Sequence, residues 1–278
     1  MLYIVGTPIG NPEDISVRAK KVLESVDYIA CEDTRETGLL LQKLEIRTKL
    51  ISYHEHNRAS REEKILTSLL SGENVALVSD AGMPCISDPG EQLVRLCASK
   101  NIPMTVIPGP TAMASALSIS GADARRFLFE GFLPSEGKER KERLDAISQS
   151  EVTVVLYEAP HRLLKTLDEL IEAVGDLRKI VLCRELTKKY EEIIRTTVVE
   201  ARAYYAEREP KGEYVLIIEG REKSRVFHDE QFMEEKIRDL FDRGLSTKEI
   251  ASVLSAEFGE SKNVIYSKAL MVLKYRKE

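Results

Sequence analysis

Four segments of the chain combine glycine, proline and small polar residues as ligand-binding loops do. They are Gly6-Thr7-Pro8-Ile9-Gly10-Asn11, Ser79-Asp80-Ala81-Gly82-Met83-Pro84, Ser87-Asp88-Pro89-Gly90 and Pro108-Gly109-Pro110-Thr111-Ala112. Glycine lets backbone N–H and C=O groups approach a ligand closely, because no Cβ intervenes. Proline fixes φ and holds such a loop in one shape. Loops of this kind read amides, hydroxyls and adenine edges. The first is not a GxGxxG sequence and no GxxxxGK(S/T) occurs, so dinucleotide and P-loop phosphate sites have little support. The loops carry almost no Lys or Arg, which disfavours a polyphosphate, whereas Asp80 and Asp88 add carboxylates. Carboxylates suit ribose hydroxyls, an amino group or a sulfonium, so a cationic cofactor such as S-adenosylmethionine fits. Each loop taken alone also reads as turn chemistry.

The elements that must position these loops are visible in the hydrophobic pattern. Short β-branched runs alternate with longer amphipathic stretches, the mark of βαβ units and a largely parallel sheet. Strands are expected at 2–5, 27–31, 50–54, 75–80 and 104–107, with helices at 16–26, after Glu32-Asp33-Thr34-Arg35, and at 59–71. The loops fall at strand ends, and open α/β sheets bind ligands beyond the carboxyl ends of their strands. Residues 1–121 therefore read as an open α/β domain carrying the cofactor loops. Residues 122–222 read as a mixed-sheet second domain, with long strands at 127–132, 152–158, 179–186, 191–200 and 213–220 and few helices between them. After the charged stretch 221–225, three short helices fit 230–278. Gly244 and Gly259 separate them, and Ser246 and Glu249 match a capping box. Lys262, Lys268, Lys274, Arg276 and Lys277 gather in the last stretch. Two readings of this appendage stand: a helix-turn-helix with a basic final helix, or a small helical cap on the second domain.

The 278 residues suit two domains plus an appendage, and 43% hydrophobic with 31% charged residues suits a globular protein with a real core. No apolar run approaches the roughly 18 residues that a membrane span needs. The first residues enter a strand without a basic leader, so a cytoplasmic protein is expected. Cys31, Cys85, Cys97 and Cys183 are scattered without CxxC spacing, which points to neither a zinc site nor a disulfide framework. A net charge of −5 excludes a protein that coats nucleic acid through bulk charge, and leaves a nucleic-acid substrate possible where basic residues share one face.

Taken together, VGTPIGN, YIACEDTR, SYHEHN, ALVSDAGMPCISDPG, VIPGPTA, GFLP, YEAPHR, CRELTKKYEE and GEYVLIIEG resemble the tetrapyrrole-methylase-like (class III) methyltransferases. Within them the chain resembles the bacterial 16S rRNA (cytidine-2′-O)-methyltransferase family, in order over about residues 2–220, and its C-terminal helices resemble that family's helix-turn-helix appendage. The resemblance implies a two-domain α/β protomer, a homodimer, and S-adenosylmethionine folded in the cleft between domains. It further implies methylation of a cytidine ribose in the decoding region of 16S rRNA, within an assembled small ribosomal subunit and without metal. By motif, Pro8, Asp80, Met83, Thr111 and Ala112 would line the cofactor. Tyr157, Glu158, Leu186 and Gly212 to Tyr214 would close it from the second domain.

Transfer to a ribose 2′-OH calls for a general base, or a cation that stabilises the alkoxide. Asp33 and Arg35 after the second strand, and Glu158 at the end of VVLYE, are the catalytic candidates. Asp33 reads equally as a helix N-cap, and Arg35 suits an RNA phosphate. His161 and Arg162 follow Pro160, so that a base and a phosphate-binding cation would lie within one turn. The alternative is a helix cap with Arg162 in solvent. His54 and His56 would share a face of a strand, which suits RNA contact or a structural hydrogen bond better than a metal. With Arg184 and the lysines 262, 268 and 274, these residues make a candidate RNA rim. Two other functions compete. One is a class III methyltransferase acting on a tetrapyrrole or a protein, and the other is a non-catalytic, ligand-sensing nucleic-acid-binding protein.

Overall fold

A computed structural model describes residues 1–221, 230–258 and 261–274. They fall into two compact units divided after Arg221. The first begins as β1 (Leu2–Val5), α1 (Val17–Ser25), β2 (Tyr28–Cys31), α2 (Thr34–Lys43) and β3 (Leu50–Ser52). It continues as α3 (Arg58–Leu70), β4 (Val75–Leu77), α4 (Glu91–Ser99), β5 (Met104–Ile107) and α5 (Ala112–Ser120). The five strands are parallel in the order β3-β2-β4-β1-β5. Strand periodicity of two sorts their side chains to opposite faces. Ile29, Cys31 and Ala76 pack with Ala19 and Leu23 of α1 and Leu41 of α2. Ala30, Val75 and Leu77 pack with Ile65 and Leu69 of α3 and Leu93 and Cys97 of α4. Helix starts are fixed by side-chain caps: Ser16 accepts from Ala19 N at 3.0 Å and Thr111 from Ala114 N at 3.1 Å.

The same unit holds a second sheet. Its elements are β6 (Phe127–Phe132), α6 (Lys138–Gln149), β7 (Thr153–Glu158), α7 (Pro160–Val174), β8 (Lys179–Arg184), β9 (Glu192–Thr197), α8 (Val198–Ala206) and β10 (Tyr214–Ile218). The order is β6-β7-β10-β8-β9, with β6 and β7 parallel and the other pairs antiparallel. One face packs on α6, α7 and α8. Val155, Val181, Val215 and Ile217 of the other face pack against Ile9 and against Ala116 and Leu117 of α5, which joins the two sheets.

The α/β class with one parallel and one mixed sheet is as expected, and three details differ. The strand expected over 191–200 ends at Thr197, where Thr197 and Glu200 form a capping box that starts α8. Three helices intervene in the second half, where few were expected. The strand expected over 50–54 ends at Ser52, so His54 and His56 share no strand face; His54 precedes a single 3₁₀ turn, Glu55–Asn57.

The second unit contains α9 (Glu230–Asp242), α10 (Thr247–Phe258) and α11 (Lys262–Lys274). Met233, Ile237, Ile250, Leu254, Phe258 and Ile265 are among its core residues. Ser246 and Glu249 form the expected capping box before α10, with Ser246 N to Glu249 Oε2 at 2.9 Å. Residues 222–225, Gly259, Arg276 and Lys277 lie outside the described residues. Among the described residues no helix is long and apolar enough to cross a membrane, and no cluster of His, Cys, Asp and Glu has the makings of a metal site.

Candidate active site

The loops at the carboxyl ends of the first sheet are fastened to one another before any ligand is considered. Thr7 and Gly82 form an antiparallel bridge, with Thr7 N to Gly82 O at 2.9 Å and Gly82 N to Thr7 O at 3.1 Å. Thr7 Oγ1 also donates to Ser79 O at 3.2 Å. Gly6 and Gly109 meet back to back: a Cβ on Gly109 would stand 2.8 Å from the Gly6 backbone. Asn11 N donates to Thr187 Oγ1 at 3.0 Å, tying the first loop to the segment after β8. The Tyr157 hydroxyl accepts from Met113 N at 3.1 Å, so a second-sheet side chain satisfies an N–H in the first turn of α5. Tyr157→Phe is expected to cost about 1 kcal/mol, read as a lower urea midpoint with an unchanged slope; an unchanged midpoint would show that water replaces the bond.

These contacts frame a cavity of about 550 Å³ between the two sheets, within the range of small-molecule sites. From the first half it is lined by Ile9, Glu32, the segments 80–83 and 86–88, and Thr111 to Met113. From the second half it is lined by Phe132, the segment 157–161, Cys183, Leu186 and Glu213 to Val215. The wall is largely apolar and carries acidic groups on the first-sheet side. Burial raises the carboxyls of Glu32 and Asp88 above the ordinary range, and neighbouring carboxylates add to the effect. Such a wall suits a ligand with a flat or apolar body and a positive charge.

Of the residues singled out from the sequence, Asp80, Met83, Thr111, Ala112, Tyr157, Glu158, Leu186 and Tyr214 line this cavity, as does His161. Pro8 is buried beside it, between lining residue Ile9 and the bridge residue Thr7. Gly212 packs on Glu185 with φ +80°, and its neighbour Glu213 faces the cavity instead. Glu158 is 2% exposed and saturated: it accepts from Ala159 N at 2.9 Å and Thr166 Oγ1 at 2.5 Å and lies 3.3 Å from Arg162 Nε. Arg162 also donates to Leu133 O at 2.5 Å and Pro134 O at 3.2 Å, so its guanidinium is engaged inside the fold rather than solvated.

Asp33 caps α2 and is clasped by the Arg35 guanidinium at 2.6 Å, which holds its carboxyl down to about 2. Arg35 is otherwise exposed. Arg184 donates to Lys211 O at 2.7 Å and pairs with Glu192 at 3.5 Å. His54 Nε2 lies 3.1 Å from Asn57 Nδ2, while its buried Nδ1 has no hydrogen-bond partner. Lys262, Lys268 and Lys274 are six residues apart on α11, so at about 3.6 residues per turn they face three directions rather than forming one stripe. Lys268 is half-buried.

Met113 and Phe132 belong to the cavity and were not singled out from the sequence, while Glu32 lines it as the first residue of the segment 32–35 that was expected to face the cleft, though only Asp33 and Arg35 of that segment were named as site residues. Glu32 carried a usable signal, since it directly follows a strand of the parallel sheet. Phe132 ends a strand of the mixed sheet, where no such rule applies. Its ring stands edge-on to Tyr157, with centroids 5.5 Å apart.

Comparison with known proteins agrees with this geometry. The family description for tetrapyrrole (corrin/porphyrin) methylases matches residues 1–202. A protein of Synechocystis named ribosomal RNA small subunit methyltransferase I is 45% identical over 271 residues, covering 97% of each chain. A Thermotoga maritima protein of the same name is 45% identical over 221 residues, which cover 80% of this chain and 99% of that one. Among solved structures, a uroporphyrin-III C-methyl transferase from Thermus thermophilus complexed with S-adenyl homocysteine superposes with a TM-score of 0.58 at 18% identity. That match covers 81% of this chain and 99% of the other, and it establishes likeness of fold.

Proposed function

The chain belongs to the ribosomal RNA small subunit methyltransferase I family of tetrapyrrole methylases, and from that premise we propose that it methylates a cytidine ribose 2′-OH of 16S rRNA with S-adenosylmethionine as donor. The observation that carries the reading is the cleft between the two sheets, with its apolar body and its acidic first-sheet wall. The residues present fit the donor. Asp80 and Asp88 suit the ribose hydroxyls, the amino group and the sulfonium, while Ile9, Met83, Leu186 and Val215 suit the apolar remainder. When bound, the donor supplies an activated methyl group on a sulfonium.

The chain's own part is to hold the acceptor oxygen in line with that methyl and to exclude competing water. Pre-fastened loops serve this: the Thr7–Gly82 bridge and the Gly6–Gly109 contact fix the donor side without a ligand. The Thermotoga relative is matched along almost its whole length by 221 residues of this chain, so a protein of that name exists with no room for an appendage of this size. The cavity lining and the family match both fall within the first unit, and we assign the chemistry to residues 1–221. The second unit, with exposed Lys262 and Lys274, and the exposed Arg35 would help hold RNA in an assembled subunit. A homodimer in the cytoplasm completes the reading.

The test is transfer of a labelled methyl group from S-adenosylmethionine to small subunits from a strain that lacks this gene. Label in 16S rRNA supports the reading. Unlabelled RNA, with cofactor binding retained, would move the acceptor to a small molecule or a protein.

A further inference from the structure

We propose that Glu32 is the general base that removes the proton from the acceptor hydroxyl, an assignment that rests on the reading of the cleft as a methyl-transfer site. Among the described residues, five carboxylates line the cleft: Glu32, Asp80, Asp88, Glu158 and Glu213. Glu158 is saturated by Ala159, Thr166 and Arg162. Asp80 accepts from Asp33 N at 3.0 Å, and the Ser79 hydroxyl near Asp88 offsets part of the rise that burial imposes on its carboxyl. Glu213 is paired with Lys188 Nζ at 2.8 Å. Glu32 has no hydrogen bond or ion pair to any described residue, and no hydroxyl lowers its proton affinity as Ser79 lowers that of Asp88, yet it is half-buried and lines the cavity. It follows β2 directly, and the bond from Asp33 N to Asp80 anchors its backbone next door. A free carboxylate on a fixed backbone, facing the cavity, is placed to take a proton.

Its surroundings also make it a better base than a solvated glutamate. Burial raises its proton affinity, and the carboxylates of Asp80, Asp88 and Asp33 raise it further. The titratable groups on the opposite wall are Tyr157, Glu158, His161, Cys183, Glu213 and Tyr214. In the step, the hydroxyl oxygen bonds to the methyl carbon as the carbon–sulfur bond breaks, and that bond's electron pair stays on sulfur. The hydroxyl proton passes to the Glu32 carboxylate, and water later carries it away. One positive and one negative charge disappear together, so the buried wall gains no net charge.

The experiment compares wild type, Glu32→Gln and Glu32→Asp on small subunits, with calorimetric titration of S-adenosylmethionine alongside. Glu32→Gln is expected to lower kcat by roughly 100- to 10,000-fold while KM and the cofactor Kd stay within about threefold of wild type. Glu32→Asp should recover part of the rate. Because the base acts only when ionised, wild-type activity should rise as pH rises through the elevated Glu32 pKa. That acid limb should be missing from the residual activity of Glu32→Gln. The cofactor titration confirms that the variant is folded; should it fail to fold, the Asp variant carries the comparison, with a lowered kcat and an unchanged cofactor Kd expected. A kcat near wild type in Glu32→Gln would overturn the assignment. A parallel fall in cofactor affinity would make Glu32 a donor contact instead. Wild type that labels no RNA would overturn the reading of the cleft itself, a result distinct from either.

Discussion

Gly109→Ala is expected to destabilise the first unit by about 1–3 kcal/mol, the usual cost of forcing a methyl into packed surroundings. The added Cβ would stand 2.8 Å from the Gly6 Cα, carbonyl carbon and oxygen, and backbone atoms cannot swing away as a flexible side-chain end would. Relief requires the loop after β5 to part from the loop after β1. The first of these carries Thr111 and Ala112 into the cleft, and the second carries Ile9. Cofactor affinity should therefore fall at least about tenfold, which corresponds to roughly 1.4 kcal/mol. For a unit of this size the thermal midpoint should drop by about 2–4 °C per kcal/mol. Gly38→Ala is the matched control. Gly38 sits inside α2, its added Cβ meets nothing closer than 3.8 Å, and relief of glycine's conformational freedom should stabilise by about 0.5–1 kcal/mol. Calorimetry and thermal melts on the two variants should move in opposite directions.

Arg162→Ala is expected to cost about 3–5 kcal/mol, because it strands the Glu158 carboxylate, 1% exposed at its side chain, without its ion-pair partner. The loss also frees the Leu133 carbonyl that the guanidinium holds to the start of α7, and leaves the Pro134 carbonyl to Arg140 alone. Urea denaturation measures it directly. The double variant Glu158→Gln with Arg162→Met should be markedly less damaging than the single, since it removes the uncompensated charge. If Arg162 were chiefly an RNA contact, Arg162→Ala would keep its urea midpoint and lose only subunit binding.

The contrast between those two expectations shows where sequence reading reaches and where it stops. The parallel sheet was legible because its strands are short, β-branched and followed by Gly/Pro loops, and the rule that ligands sit beyond strand ends then located the cleft. The i,i+4 spacing of Glu158 and Arg162 was equally legible. Its burial was not, because burial depends on α7 lying across β7 and on the loop after β6 folding over both. Asp33 and Arg35 likewise sit two residues apart in plain view, but only the turn at the α2 N-terminus brings the guanidinium onto the carboxylate. That clasp leaves Glu32 as the side chain of the segment that lines the cavity.

In the second half, α8 was hidden because Val198 and Val199 continue a β-branched run, and the Thr197–Glu200 capping box outweighs that preference. Helix α6 was obscured by its charge, with Lys138, Arg140, Lys141 and Arg143 among its residues. The lysines of α11 are close in sequence and point apart in space, a matter of helical phase that a count of basic residues does not show.

The central claim is that the methyl group goes to a ribose oxygen, and alkaline hydrolysis tests it most directly. Small subunits labelled by this protein from S-adenosylmethionine would have their 16S rRNA extracted and digested with alkali, which cleaves only next to a free 2′-OH. The account predicts label in an alkali-resistant dinucleotide whose 5′ nucleoside is cytidine. Label recovered in mononucleotides would place the methyl on a base and contradict it.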